Sequence, residues 1–315
     1  MRSLHYILLL MLTGLLACET LVSDIPLSDL PSTTSKLVVN SYISPQSAKT
    51  IVVVTESIPL YGESTSGDKV VTNAVVKISD GTKQVIMPYD TAGKVYSLTQ
   101  AQFPILASKT YTLVVSDASR SVSATCTVPA RGPVIQSYVI DTAFVRDFNG
   151  RDTALTLKLV WLDLASEKNF YRARGYTEVE YSVLQTNSNQ ERSEKRVKGR
   201  FNFDWDENTG RSDFQNDENL DSTVFTSPLG RAYLPSTILS YTSSGPVFAK
   251  QKIKILSVNM EVLNTDQAYY DYHRSLSLNR NANNPFAEPA LVFSNVTGGL
   301  GCFAAYNSRQ IIYRP

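Results

Sequence analysis

The chain has 315 residues, 43% hydrophobic and 10% aromatic with 17 tyrosines, enough to fill sizeable cores, and its length favours two domains. Its 30 Lys and Arg stand against 29 Asp and Glu, a formal charge of +1 that falls to zero once Arg2 leaves with the leader read below. A neutral chain lacks the basic footprint of a nucleic-acid binder, which excludes that class.

The first residues form a leader. Arg2 gives a positive start, Ile7 to Leu12 an apolar centre, and Thr13-Gly14 leads into Leu15-Leu16-Ala17-Cys18. The apolar run is far short of the ~20 residues that cross a bilayer, so residues 1–17 read as a signal peptide. The Leu-x-Ala-Cys ending resembles a bacterial lipoprotein signal, which implies cleavage between Ala17 and Cys18 and acylation of Cys18, palmitate included. Several acyl chains anchor stably where a single one exchanges. The expected location is therefore the outer membrane, lipid-anchored, with either face open. Residues 18–35, rich in Ser, Thr, Asp and Pro, read as a flexible tether.

From Leu37 the pattern changes to short β-branched runs: LVVNSYI (37–43), TIVVVTES (50–57), NAVVKIS (73–79), TKQVIMP (82–88), GKVYSL (93–98), KTYTLVVS (109–116) and SVSATCTV (121–128). Asp80-Gly81 marks a hairpin, and Tyr111, Leu113 and Val115 fall on one face. Short strands without a helical pattern indicate an immunoglobulin- or transthyretin-like β-sandwich over 36–130. Pro129 to Pro133 marks the boundary to a second, larger β domain over 131–315.

That second part carries longer alternating runs at 133–145, 153–163, 176–184, 196–205 and 248–263. Asn264-Thr265-Asp266 then offers capping residues, and Tyr269, Tyr272 and Leu276 make an apolar stripe, predicting one helix over about 265–279. Residues 288–307 and 310–314 read as two strands joined by a glycine-rich turn. Gly298, Gly299 and Gly301 lie between strands and open no helix, which argues against a phosphate cradle.

Candidate chemistry is sparse. After the leader only His273 remains, which excludes multi-histidine zinc sites and most nucleophile–base relays, so no enzyme is expected. His273, beside the tyrosine stripe, reads as a partly buried helix residue satisfied by a hydrogen bond. Asp204, Asp206 and Asn208, in an Asp-rich stretch, have the oxygen ligands calcium takes, but the spacing departs from the EF-hand rule and a solvated loop competes. Phe201, Phe203 and Trp205 alternate onto one strand face: a sugar-stacking platform if exposed, core if buried. The basic run Arg192 to Arg200 reads as a solvated strand edge or hairpin tip. With Cys18 lipidated, Cys126 and Cys302 are the remaining thiols, placed in different domains.

LVVNSYI, NAVVKISDG, GKVYSL and KTYTLVV resemble the N-terminal half of the bacterial lipoproteins known as the domain of unknown function 4249 family. The resemblance is sharpest in AYYDYHRSL (268–276) and NPFAEPALVFSNVTGGLGCFAAY (284–306). Cys302 departs from the aliphatic residue the family favours, so the resemblance implies no shared disulfide. It implies a working context beside TonB-dependent outer-membrane receptors and no residue-level function. The expectation is a non-enzymatic, outer-membrane-anchored binding or accessory lipoprotein working with such a receptor, without nucleic acid and without a cofactor beyond the Cys18 lipid. A surface glycan-binding or adhesive module is the alternative.

Overall fold

A computed structural model of the chain describes residues 34–58, 69–147, 150–186, 192–206, 212–242, 245–280 and 291–315. The leader, Ala17, Cys18 and nearly all of the tether lie outside them. The first half forms β1 (Leu37–Ile43), β2 (Lys49–Glu56), β3 (Val75–Ser79), β4 (Gln84–Met87), β5 (Tyr89–Asp90), β6 (Val95–Thr99), β7 (Thr110–Ser116) and β8 (Ser121–Thr127). The second half forms β9 (Val134–Asp147), β10 (Gly150–Leu162), β11 (Phe170–Thr186), β12 (Arg192–Asn202), β13 (Asp204–Trp205), β14 (Phe214–Asn216), β15 (Val224–Thr226), β16 (Gly230–Tyr233), β17 (Thr237–Thr242), β18 (Gly245–Lys250), β19 (Lys254–Thr265), helix α1 (Gln267–Arg280) and β20 (Leu300–Tyr313). The fold is mostly β with one helix near the C-terminus, as the sequence predicts.

The strands build a long sheet in the order β12-β11-β19-β20-β1-β2-β6-β5, with β14 added on β11. A four-stranded sheet, β4-β3-β7-β8, faces its N-terminal part, and a five-stranded sheet built on β10 belongs to the second half. Alternation places Val39, Ile43, Val52 and Val54 in the same core as Ile78, Tyr111, Leu113 and Val115, the two inner faces of a sandwich. A second core joins Leu155, Leu157, Leu159 and Trp161 of β10 to Tyr171, Ala173, Val258, Met260 and Val262 of β11 and β19. The two halves thus have separate cores. They share the long sheet, and β20 feeds both halves: Phe303 and Ala305 enter the first core, and Ile311 packs on the second.

Two elements differ from the sequence reading. The run 248–263 is two strands, because Gln251 interrupts it: its N–H donates to the Ser236 carbonyl (2.9 Å), and its side chain accepts from the Ser182 N–H (2.6 Å) and donates to the Thr237 carbonyl (3.2 Å). The C-terminal stretch is a single long strand and not a hairpin. Its glycines serve β20's entry instead. Gly298 turns the chain at φ +80°, and Gly301 sits at φ +104° against β1, where an added Cβ would lie 2.2 Å from the Val39 carbonyl oxygen. Only a residue without a side chain lets β20 lie parallel to β1 in the register Val39↔Gly301.

Gly301→Ala combines backbone strain with that collision, and the neighbour is backbone that cannot step aside. A loss of about 3 kcal/mol or more is expected in urea unfolding followed by circular dichroism. Ala304→Gly, three residues further along β20 and without either problem, is expected to cost about 1 kcal/mol.

Candidate functional site

The site follows from the period of β11. Tyr171 and Ala173 point into the second core, so Arg172, Arg174 and Tyr176 lie on the opposite face. The ladder sets Arg174 beside Glu261 and Tyr176 beside Asn259 of β19, Tyr176 beside Asn202 of β12, and Glu261 beside Gln310 of β20. These four strands floor a cleft of about 650 Å³ that α1 borders with His273, Leu276 and Ser277. Phe203, Asp204, Trp205, Asp213 and Phe214 complete its lining. A volume of this order suits a small-molecule site.

Each arginine in the cleft is held against a carboxylate or a ring. Arg172 pairs with Asp213 (3.4 Å), donates to the Tyr269 hydroxyl (2.7 Å) and lies over the Phe214 ring (4.5 Å). Arg174 pairs with Glu261 at 2.6 Å and lies over the Tyr306 ring at 5.1 Å. Burial works against the Arg174 charge, but the Glu261 carboxylate more than offsets it and leaves the guanidinium above its ordinary value. Arg200 stacks on Tyr176, 3.4 Å from the ring centre.

The helix border is fixed from below. Asp266 caps α1 by accepting the Tyr269 N–H (2.9 Å), and its other oxygen accepts the Ala305 N–H of β20 (3.0 Å). Burial pushes this carboxyl up to about 7, although the backbone N–H groups oppose the shift. Tyr269, Tyr270 and Tyr272 pack with Phe170, Phe214, Leu263 and Cys302 in a third core. His273 sits among rings, 4.3 Å from Tyr269 and 4.9 Å from Tyr42 between ring centres, and stacks on Phe214 at 6.0 Å.

The predicted site residues separate. Phe203 is only 4% exposed and belongs to the second core, so the three-ring exposed platform is corrected to core. The reason is the alternation itself: the Phe203 N–H bond to the Gly175 carbonyl (3.0 Å) continues the register Tyr176↔Asn202 past the end of β12, so Phe203 keeps the same inward face as Phe201. Phe201 packs edge-on against Tyr181 on the core side. Trp205 lies over Gly230 and, with Phe203, still borders the cleft.

Carboxylates of the Asp-rich stretch go to separate partners. Asp204 faces the cleft, Asp206 pairs with Arg231 (2.9 Å), Asp217 accepts the Asn169 N–H (3.0 Å) and Asp221 the Ser166 N–H (2.8 Å). Asn208 lies outside the described residues. Among the described residues no three His, Cys, Asp or Glu groups converge as metal ligands. The run from Arg192 is the edge strand β12, where Arg196 pairs with Glu180 at 2.7 Å. Cys126 and Cys302 are both buried free thiols, the first in the sandwich core and the second against α1, where it donates to the Ala268 carbonyl (3.6 Å). Burial raises both above the ordinary thiol value.

Arg172 and Arg174 are missed by the sequence reading, which starts this strand at Tyr176. Their signal is the alternation in FYRARGYTEVEY (170–181), where every second residue from Arg172 is polar or tyrosine.

Fold and site together define a three-core β protein with a polar, aromatic-rimmed cleft on one long sheet. The chain belongs to the family described as "Domain of unknown function (DUF4249)", whose model matches residues 23–312. No curated protein matches it. Among solved structures it is similar to the C-terminal globular domain of an oligosaccharyltransferase from Pyrococcus abyssi, at 11% identity over 71% of this chain and 47% of that one, with a TM-score of 0.13. The chain therefore spans about half of that structure, and a likeness of this size carries no argument.

Two measurements test the site's energetics. Glu261→Gln removes the partner of Arg174, and because that guanidinium is partly solvated the expected loss is about 1 kcal/mol in urea unfolding, smaller in high salt. For Asp266 the sign follows from a folded value above the ordinary 3.8: its contribution to stability is complete below pH 3.8 and lost as pH rises to about 7. Asp117, held down to about 2 by the Arg120 side chain, acts in the opposite sense and only below pH 3.8. The unfolding midpoint attributable to Asp266 is therefore expected to fall between pH 4 and 7, and Asp266→Asn to flatten the profile in that window alone.

Proposed function

We propose that the protein is a non-enzymatic binding component, anchored in the outer membrane by lipid on Cys18, that holds a small ligand in its cleft while working with a TonB-dependent receptor. The observation that supports the reading is the separation, along β20, of the cleft from β1, the strand that follows the tether in sequence. The tether enters at β1, whose Val38 pairs with Leu300, while the cleft reaches Gln310 on the same strand. At about 3.3 Å per residue this places the binding face roughly 33 Å from the point of attachment. The tether extends the reach by up to about 3.5 Å per residue. A cleft set apart from the lipid-bearing end of the chain is suited to passing a ligand to a membrane partner.

Cys18→Ala is expected to move the protein from the membrane fraction to the soluble fraction and to abolish palmitate labelling. Purification of the native protein in mild detergent is expected to recover a TonB-dependent receptor, and repeated recovery of none would count heavily against the accessory role. Protease shaving of intact cells, with Cys18→Ala as control, then reports which membrane face the cleft occupies.

A further inference from the structure

We infer that the cleft takes a neutral carbohydrate. The inference rests on the binding reading above and adds the chemical class of the ligand.

Charge comes first. The lining carries three guanidiniums, Arg172, Arg174 and Arg200, and three carboxylates, Asp204, Asp213 and Glu261. Two of each are already committed to one another, in Arg172–Asp213 and Arg174–Glu261. An anionic ligand would have to compete with Asp213 and Glu261, and a cationic one with the arginines. Only Arg200 and Asp204 stand outside these pairs, one charge of each sign, so the six groups together offer no net charge that would favour an anion or a cation. A neutral ligand keeps both pairs and uses the hydrogen-bonding positions they leave over.

Those positions are numerous and of both senses. The side chains of Asn202, Asp204 and Gln310 border the cleft without a hydrogen bond to another described residue, offering amide donors and acceptors beside a carboxylate. The paired arginines and carboxylates are planar groups fixed in orientation, which suits pairs of neighbouring hydroxyls rather than single polar atoms. The remaining requirement is an apolar surface among the polar groups. Trp205 provides it: the indole lies over Gly230, where an added Cβ would be 3.0 Å away, and it is half-buried at the cleft. Tyr176 adds a second ring, backed by Arg200. A sugar ring has this same division, with C–H groups across one face and hydroxyls around its rim, so it stacks on indole while its edge bonds to planar side chains. A purely apolar ligand would leave the polar floor without partners.

The test is calorimetry of the full mature lipoprotein in mild detergent against neutral hexasaccharides of β-1,3-, β-1,4- and α-1,4-linked glucose, β-1,4-xylose and β-1,4-mannose. A sulfated oligosaccharide and an acidic hexapeptide serve as charged probes. Binding of at least one neutral sugar is expected, weakened about tenfold by Trp205→Ala and severalfold by Asn202→Ala, and unchanged by Ile86→Ser on the exposed surface of the sandwich. Trp205→Phe, which keeps a ring, is expected to retain most of the affinity and guards against a folding defect in the alanine variant. Binding of charged probes alone, no binding to any probe, or neutral-sugar binding indifferent to Trp205 and Asn202 would each overturn the inference. Receptor recovery is scored on the same preparation. Recovery without sugar binding overturns the ligand class and leaves the accessory role standing, while sugar binding without recovery does the reverse.

Discussion

Six residues at the start of β20 lie parallel to β1, and the eight that follow lie antiparallel to β19. One strand therefore changes partners and orientation in mid-course, and both halves of the molecule depend on where it does so. The change falls between Ala305 and Tyr306, and Asp266 sits there. Its backbone N–H donates to the Ala305 carbonyl (2.9 Å) while its carboxylate accepts the Ala305 N–H. The first residues of α1 are thereby tied to the seam at which the sandwich ends and the cleft begins. Asn307, two residues on, donates to the Pro129 carbonyl and accepts from Gln46, which closes the inter-domain segment over the same point.

The cleft is a consequence of that seam. A sheet buried on both faces needs apolar side chains on both, yet β11 and β19 send Arg174, Tyr176, Asn259 and Glu261 to the side opposite the second core. Polar groups can occupy such a face only if they satisfy one another, and the ladder makes this feasible by placing Arg174 directly across from Glu261. Asn259 is buried and donates to Ser257, so the floor is ordered before anything binds. Preorganisation of this kind lowers the entropic cost of holding a ligand.

Much of the fold is legible from residue pattern. LVVNSYI coincides with β1, and Asp80-Gly81 closes the β3–β4 hairpin because Asp80 accepts the N–H groups of Thr82 and Lys83. The helix is legible because Asp266 caps it and the tyrosine stripe seats it. The parallel course of β20 is not legible, because glycine at 298, 299 and 301 reads equally as a hairpin or as close backbone approach. Contact with Val39, more than 250 residues away, decides the matter. For the same reason a division at residue 130 is crossed by the first core, which takes Val296, Phe303 and Ala305 from the far end of the chain, and by the long sheet. At the site, a regular alternation through Phe201, Phe203 and Trp205 predicts one shared face. That alternation holds, and the face packs on the second core, with Phe203 buried and the other two rings in part. What the local sequence does not mark is that this face is inward, which packing against β10 and β19 decides. Trp205 reaches the cleft while Phe201 does not.

The same topology bears on how the protein is made. A chain made N-terminus first presents β1 to β8 long before β20 is available. Until then β1 pairs only with β2, its other edge is open, and the sandwich lacks Phe303 and Ala305 from a core they help to fill. An open edge carrying Val38, Val39 and Tyr42 is the kind of surface that pairs with other chains. Burying a phenylalanine is worth about 1.5–3 kcal/mol, a sizeable part of a domain's margin. Completion of the first half by the last strand therefore makes folding of the whole chain a single late event, dominated by contacts distant in sequence and correspondingly slow. It also couples the halves once folded. Any molecule that bound the floor of β11, β19 and β20 in the folded state alone would stabilise the strand that completes the sandwich, and so tie the two halves more firmly together.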